Sequence, residues 1–136
     1  MRFVTGYIAF LVAFGLCDAI WLSTMTPRLY RPTLGEGLLD QIRYLPAVLF
    51  YFGFPLGVVH FALMPALQDG SGRAALINGA LIGLLAYATY DLTNYATLRA
   101  WTLTITLADL AYGTVVVGFC TWIAFVAVRR IEGGLG

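Results

Sequence analysis

The chain has 136 residues, of which 60% are hydrophobic and 11% charged, with a mean hydropathy of +0.83 and a formal net charge of +1. A soluble domain carries about 25% charged residues, so this composition excludes an ordinary soluble fold. The near-neutral balance and the lack of any basic run exclude a nucleic-acid surface. At roughly 20 apolar residues per crossing, the length holds four transmembrane helices within one integral membrane domain, residues 1–136, and no extramembrane domain.

The first expected helix covers residues 3–25 and stops at Thr26-Pro27. Arg2 ahead of an apolar run imitates a signal peptide. Leu16, however, precedes Cys17 where a lipoprotein site needs a small residue, and the apolar run resumes through Ile20, Trp21 and Leu22. The segment therefore reads as an uncleaved first crossing. The second helix is expected over 44–66, with Pro46, Pro55 and Pro65 inside it. Pro55 should kink that helix or free a carbonyl. The third and fourth are expected over 74–98 and 103–128. In lipid such helices close their own backbone hydrogen bonds, and short connections between them predict an all-α, up-down-up-down four-helix transmembrane bundle.

Two glycine pairs at four-residue spacing, Gly53/Gly57 and Gly79/Gly83, allow close backbone approach. They serve either the bundle or a homodimer. Cys17 and Cys120 fall on the first and fourth helices, roughly 15 Å apart along the membrane normal by helical rise, which predicts unpaired thiols. All eight basic residues are arginine. Most flank a crossing, where anchoring to membrane lipids accounts for them. Four lie on each side, so the positive-inside rule does not set the orientation.

Three aspartates interrupt the apolar stretches: Asp18, Asp91 and Asp109. A charge at membrane depth costs a few kcal/mol or more unless it faces a bundle interior or a wet cavity. Asp18 lies eight positions before Thr26, Asp91 eight before Arg99, and Asp109 seven after Thr102. In an alternating bundle all three sit roughly 10–12 Å from one membrane face, at 1.5 Å per residue. Neighbours three or four positions away share their faces. This adds Trp21, Tyr87, Asn94, Thr106 and Tyr112, with Phe14, Leu22, Tyr95 and Gly113 beside them. Arg28 and Arg99, with Arg31 and Arg43, border the mouth.

The expected site is thus an aspartate-lined pocket for a small molecule, a lipid headgroup or a cation. Mutual repulsion among the carboxylates would couple binding to protons, as in a proton-coupled transporter. Two other classes stay open. One is a membrane-embedded enzyme on a lipid or isoprenoid, with an aspartate as acid or base and arginines gripping the headgroup. The other is an accessory subunit whose Asn94 and Thr106 only join helices and whose Asp91 pairs with Arg99. His60, the single histidine, falls nearer the opposite face and reads as a packing residue. Three carboxylates suit a hard cation better than zinc, but no spacing on one helix supports a metal. No cofactor or catalytic motif is present.

The run AYATYDLTNYATLRAW (Ala86–Trp101) followed by ADLAYGT (Ala108–Thr114) resembles the bacterial membrane proteins grouped as domain-of-unknown-function family 2177. DAIWL (Asp18–Leu22), TPRLYR (Thr26–Arg31) and FALMPAL (Phe61–Leu67) are similar to it as well. The resemblance implies a four-helix protein of the bacterial inner membrane with Asp18, Asp91, Asn94 and Asp109 in its signature. It implies no activity. Tyr112 stands where members of the family usually carry Trp, which keeps an amphipathic ring.

Overall fold

A computed structural model describes residues 1–135. Four helical stretches are long and apolar enough to cross a bilayer: α1 (Arg2–Gly37), α2 (Tyr44–Asp69), α3 (Gly72–Thr97) and α4 (Leu103–Leu135). No strand occurs among the described residues. The shortest of these helices has 26 residues. At 1.5 Å per residue that is about 39 Å, more than the roughly 30 Å hydrocarbon core requires. The chain is a multi-pass membrane protein.

Three helices are longer or less regular than their sequences suggest. α1 is a regular α-helix only over Arg2–Met25, the expected span, but it does not stop at Pro27. Proline removes an N–H and crowds the carbonyl four residues back. The chain absorbs both by widening one turn over Thr26–Tyr30, where the Arg31 N–H bonds to the Thr26 carbonyl five residues back. A further α turn, Arg31–Leu34, and a tight turn, Gly35–Gly37, complete α1. Pro55 leaves α2 regular through Val58, and a second widened turn covers Val59–Leu63, just ahead of Pro65. α4 runs seven residues beyond the expected end at 128, to Leu135.

The ends are capped by local chemistry. Gly70, at φ 66°, takes the left-handed conformation that closes α2 without a Cβ penalty. The Ser71 hydroxyl then accepts from the Ala74 N–H at 3.0 Å and starts α3. The Thr102 hydroxyl accepts from the Ile105 N–H at 3.2 Å at the start of α4.

Burial follows a four-residue repeat on each helix, the ridge that packs into a neighbour's groove. On α1 the buried residues are Gly6, Phe10, Phe14 and Asp18. On α3 they are Ala75, Gly79, Gly83 and Asp91. On α4 Ile105, Asp109, Gly113, Val117 and Thr121 continue the pattern. The opposite face of α1 carries Val4, Ile8, Val12, Leu16 and Ile20, which are 54–69% exposed. In water such a stripe would be an aggregation liability, whereas in a bilayer it is the lipid face.

The helices are pinned by contacts whose numbers fall on one helix as they rise on the next. A Cβ on Gly72 would meet Trp122, one on Gly79 would meet Thr121, and one on Gly83 would meet the Gly113 carbonyl. α3 and α4 therefore run antiparallel at close range. α1 and α4 do the same: Arg2 pairs with Glu132, Gly6 sits against Val128, and Tyr112 reaches Asp18. α2 returns along α1, with Leu63 against Gly6, Phe54 edge-on to Phe10 and Phe50 edge-on to Phe14, and with the Tyr7 hydroxyl on the Phe52 carbonyl at 2.8 Å. A methyl added to Gly53 or Gly57 would meet nothing within 4 Å, so the α2 pair plays no part in packing the bundle.

This register corrects the cysteine expectation. Cys17 and Cys120 are both free thiols, but they lie within reach of each other across α1 and α4. The separation of roughly 15 Å assumed that α1 ends level with the start of α4. The contacts Tyr112 on Asp18 and Gly6 against Val128 set a register that brings the two cysteines closer along the helices than that.

Candidate functional site

A cavity of about 580 Å³ opens between the C-terminal half of α1, the start of α2, the end of α3 and the start of α4. Each helix delivers its polar residue from the core-facing ridge. Asp18 and Trp21 enter from α1, Tyr87 from α3, and Asp109 and Tyr112 from α4. The continuation of α1 past Pro27 closes one side with Thr26, Tyr30 and Leu34, and Leu38 follows it.

Tyrosine, not arginine, meets the carboxylates. Asp18 is 7% exposed and accepts from two hydroxyls, Tyr51 on Oδ2 and Tyr112 on Oδ1, the latter at 3.0 Å. Asp109 accepts from the Tyr30 hydroxyl, which in turn accepts from Trp21 Nε1 at 3.1 Å. Trp21 stacks on Tyr112 with ring centroids 4.1 Å apart and planes within 12°, tying the two carboxylate clusters together. Aromatic stacking of this kind adds about 0.5–1.5 kcal/mol beyond burial.

Asp91 differs. It is fully buried, and neither carboxyl oxygen has a hydrogen-bond partner. Its neighbour is the Asp109 carboxyl. A carboxylate only accepts, whereas the neutral acid has one O–H to give. With both oxygens unpartnered, Asp91 is the one costly buried group behind the cavity.

Of the residues expected at the site, Asp18, Trp21, Tyr87, Asp109 and Tyr112 line the cavity, and Asp91 backs it through Asp109. Four others do not converge there. Thr106 is buried, but its hydroxyl accepts from Trp101 Nε1 at 3.1 Å and donates to the Thr102 carbonyl at 2.9 Å, fixing the entry into α4. Asn94 is half-buried on α3 outside the lining. Arg28 and Arg99 are exposed and outside it too. Desolvating a guanidinium is costly, and at a helix end the side chain can instead reach the headgroup layer. The sole ion pair among the described residues is Arg2–Glu132, so Asp91 does not pair with Arg99.

His60 is exposed and sits edge-on to Phe61, away from the cavity. No group of three or more His, Cys, Asp or Glu able to hold a metal ion occurs among the described residues.

Sequence reasoning missed Tyr30 and Tyr51. Tyr51 was open to the depth argument, because it lies seven positions into α2 from the same side as the aspartates. Tyr30 was hidden by the helix end assigned at Pro27, since a loop residue has no predictable face.

Neither a curated protein nor a solved structure matches the chain. Residues 3–126 match the family described as "Predicted membrane protein (DUF2177)". With four apolar helices and that match over nearly its whole length, the chain belongs to the DUF2177 family of predicted membrane proteins.

Proposed function

We propose that this protein is a single-domain ligand-binding protein of the bacterial inner membrane, residues 1–136. It takes a small molecule, lipid headgroup or cation into the cavity flanked by Asp18 and Asp109. The observation that carries this reading is a cavity of about 580 Å³ whose lining holds two carboxylates and no basic side chain. A concave, mostly apolar space with a few placed polar groups is the form that small-molecule sites take. Asp91, buried without a partner beside Asp109, adds a third carboxyl next to the ligand space, the kind of group a proton-coupled transporter would use.

The enzyme reading relies on arginines to grip a headgroup, and Arg28 and Arg99 stand outside the lining. Ala86 lines the cavity and is half-buried, so Ala86→Trp fills the space from a helix face that tolerates a larger side chain. Native mass spectrometry of protein extracted with its surrounding lipid should find a non-bulk molecule bound to the natural chain. That molecule should be missing from the folded Ala86→Trp variant. Identical spectra for the two proteins would refute a ligand cavity.

A further inference from the structure

The cavity wall is unusually aromatic. Seven of its fourteen lining residues are Trp, Tyr or Phe, against 15% for the whole chain. Trp21 and Tyr112 present a stacked pair, and Tyr87 meets Tyr112 edge-on with centroids 6.1 Å apart. Phe50, Tyr51 and Tyr90 face them from α2 and α3. Ring faces attract cations, and desolvation raises the attraction to about 2 kcal/mol or more per contact.

The charge in the wall is one-sided. Asp18 and Asp109 line the cavity, and Asp91, fully buried without a partner, stands behind Asp109. No lining residue is basic. The tyrosine hydroxyls supply hydrogen bonds but no positive charge, so any cation that sits beside Asp18 and Asp109 comes from outside the chain. A bare metal ion would leave most of the volume empty and gain little from rings. The apolar remainder of the wall, Leu22, Leu34 and Leu38, accepts a hydrocarbon chain.

Resting on the ligand-cavity reading above, we propose that the ligand is an amphiphile with an organic ammonium head. Its head lies among the aromatic rings beside Asp109 and Asp18, and its chain lies along Leu22, Leu34 and Leu38. The same chemistry is offered by the amine head of a membrane lipid and by a free alkylamine.

Calorimetric titration of the full chain in maltoside micelles tests this with three soluble probes: hexyltrimethylammonium, octanol and hexyl sulfate. The cation should bind about tenfold or more tightly than the neutral and anionic probes, as expected for even one desolvated cation–ring contact. Trp21→Leu should weaken cation binding about tenfold, Trp21→Phe should recover part of it, and Asp109→Asn should weaken it at least as much as Trp21→Leu. Circular dichroism confirms that each variant is folded. Competition by phosphatidylethanolamine in mixed micelles, with none by phosphatidylglycerol, identifies a lipid head as the source; no competition by either identifies a free amine. Equal binding of the three probes, tighter binding of hexyl sulfate, or no binding of hexyltrimethylammonium overturns the proposal. If the cation fails while Ala86→Trp still expels a copurifying molecule, the cavity reading stands and only the ammonium head is lost.

Discussion

Asp18 and Asp91 both continue a four-residue core ridge, yet they meet opposite chemistry. Asp18 receives two tyrosine hydroxyls, whereas Asp91 receives no donor. A hydrogen bond to a charged group contributes about 1.5–3 kcal/mol, and an aspartate at a helix centre costs about 2.5–3.5 kcal/mol on insertion scales. Two such bonds therefore cover the cost of Asp18, and a single bond of average strength falls short of it. This leads to a non-additivity prediction. Tyr51→Phe or Tyr112→Phe alone leaves Asp18 one donor and should destabilise by about 1.5–3 kcal/mol. The double variant strands the carboxylate and should lose at least about 1 kcal/mol more than the two single losses combined, within the usual range for coupled neighbours. Thermal unfolding of the four proteins in one detergent gives the cycle. Simple additivity would mean that the two hydroxyls do not share the work of holding Asp18.

At the level of helices, the two glycine pairs that look alike in sequence have different roles. Gly79 and Gly83 on α3 lie directly against α4, and a methyl on Gly83 would collide with the Gly113 carbonyl, which is backbone and cannot swing away. A methyl on Gly113 would strike the Tyr87 ring, a wall of the cavity. Gly57 faces open space. Gly83→Ala and Gly113→Ala should therefore cost about 1–3 kcal/mol, the usual range for overpacking. Gly57→Ala should be close to neutral, and Gly113→Ala should also weaken whatever binds beside Tyr87. Unfolding midpoints for the three variants decide the matter, and a Gly57→Ala loss as large as that of Gly83→Ala would count against this packing.

The four spans were legible because hydropathy alone marks them, and the aspartates stood out because charge in an apolar run is costly. Helix rotation was partly legible as well, since Gly79, Gly83 and Asp91 repeat at four-residue multiples. The tyrosine partners were not. Tyr30 depends on a helix that passes through Pro27 by widening one turn, and local sequence rules favour stopping there. The arginines were misplaced for a related reason. Position along a helix gives reach but not the solvation cost that leaves Arg28 and Arg99 outside the lining.

The molecule as a whole has two unlike ends. One holds the Arg2–Glu132 pair and the Gly70-Ser71 turn; the other holds the cavity, the Leu38–Arg43 connection and Arg99. The contacts require this segregation, because Gly6 meets Val128 and Leu63 at the first end while Tyr30 meets Asp109 at the second. Four crossings of a bilayer would then put the two ends in different compartments, and a polar ligand would reach the carboxylates from one compartment only. Single cysteines test this directly once Cys17 and Cys120 are replaced by alanine. Asp69→Cys and Gly133→Cys should react with a membrane-impermeant maleimide from one side of sealed vesicles. Asp40→Cys and Arg99→Cys should react only from the other. All four positions are exposed, so silence cannot be blamed on burial. If Asp69→Cys and Arg99→Cys label from the same side, α3 does not cross the membrane, and the carboxylates cannot form an intramembrane site.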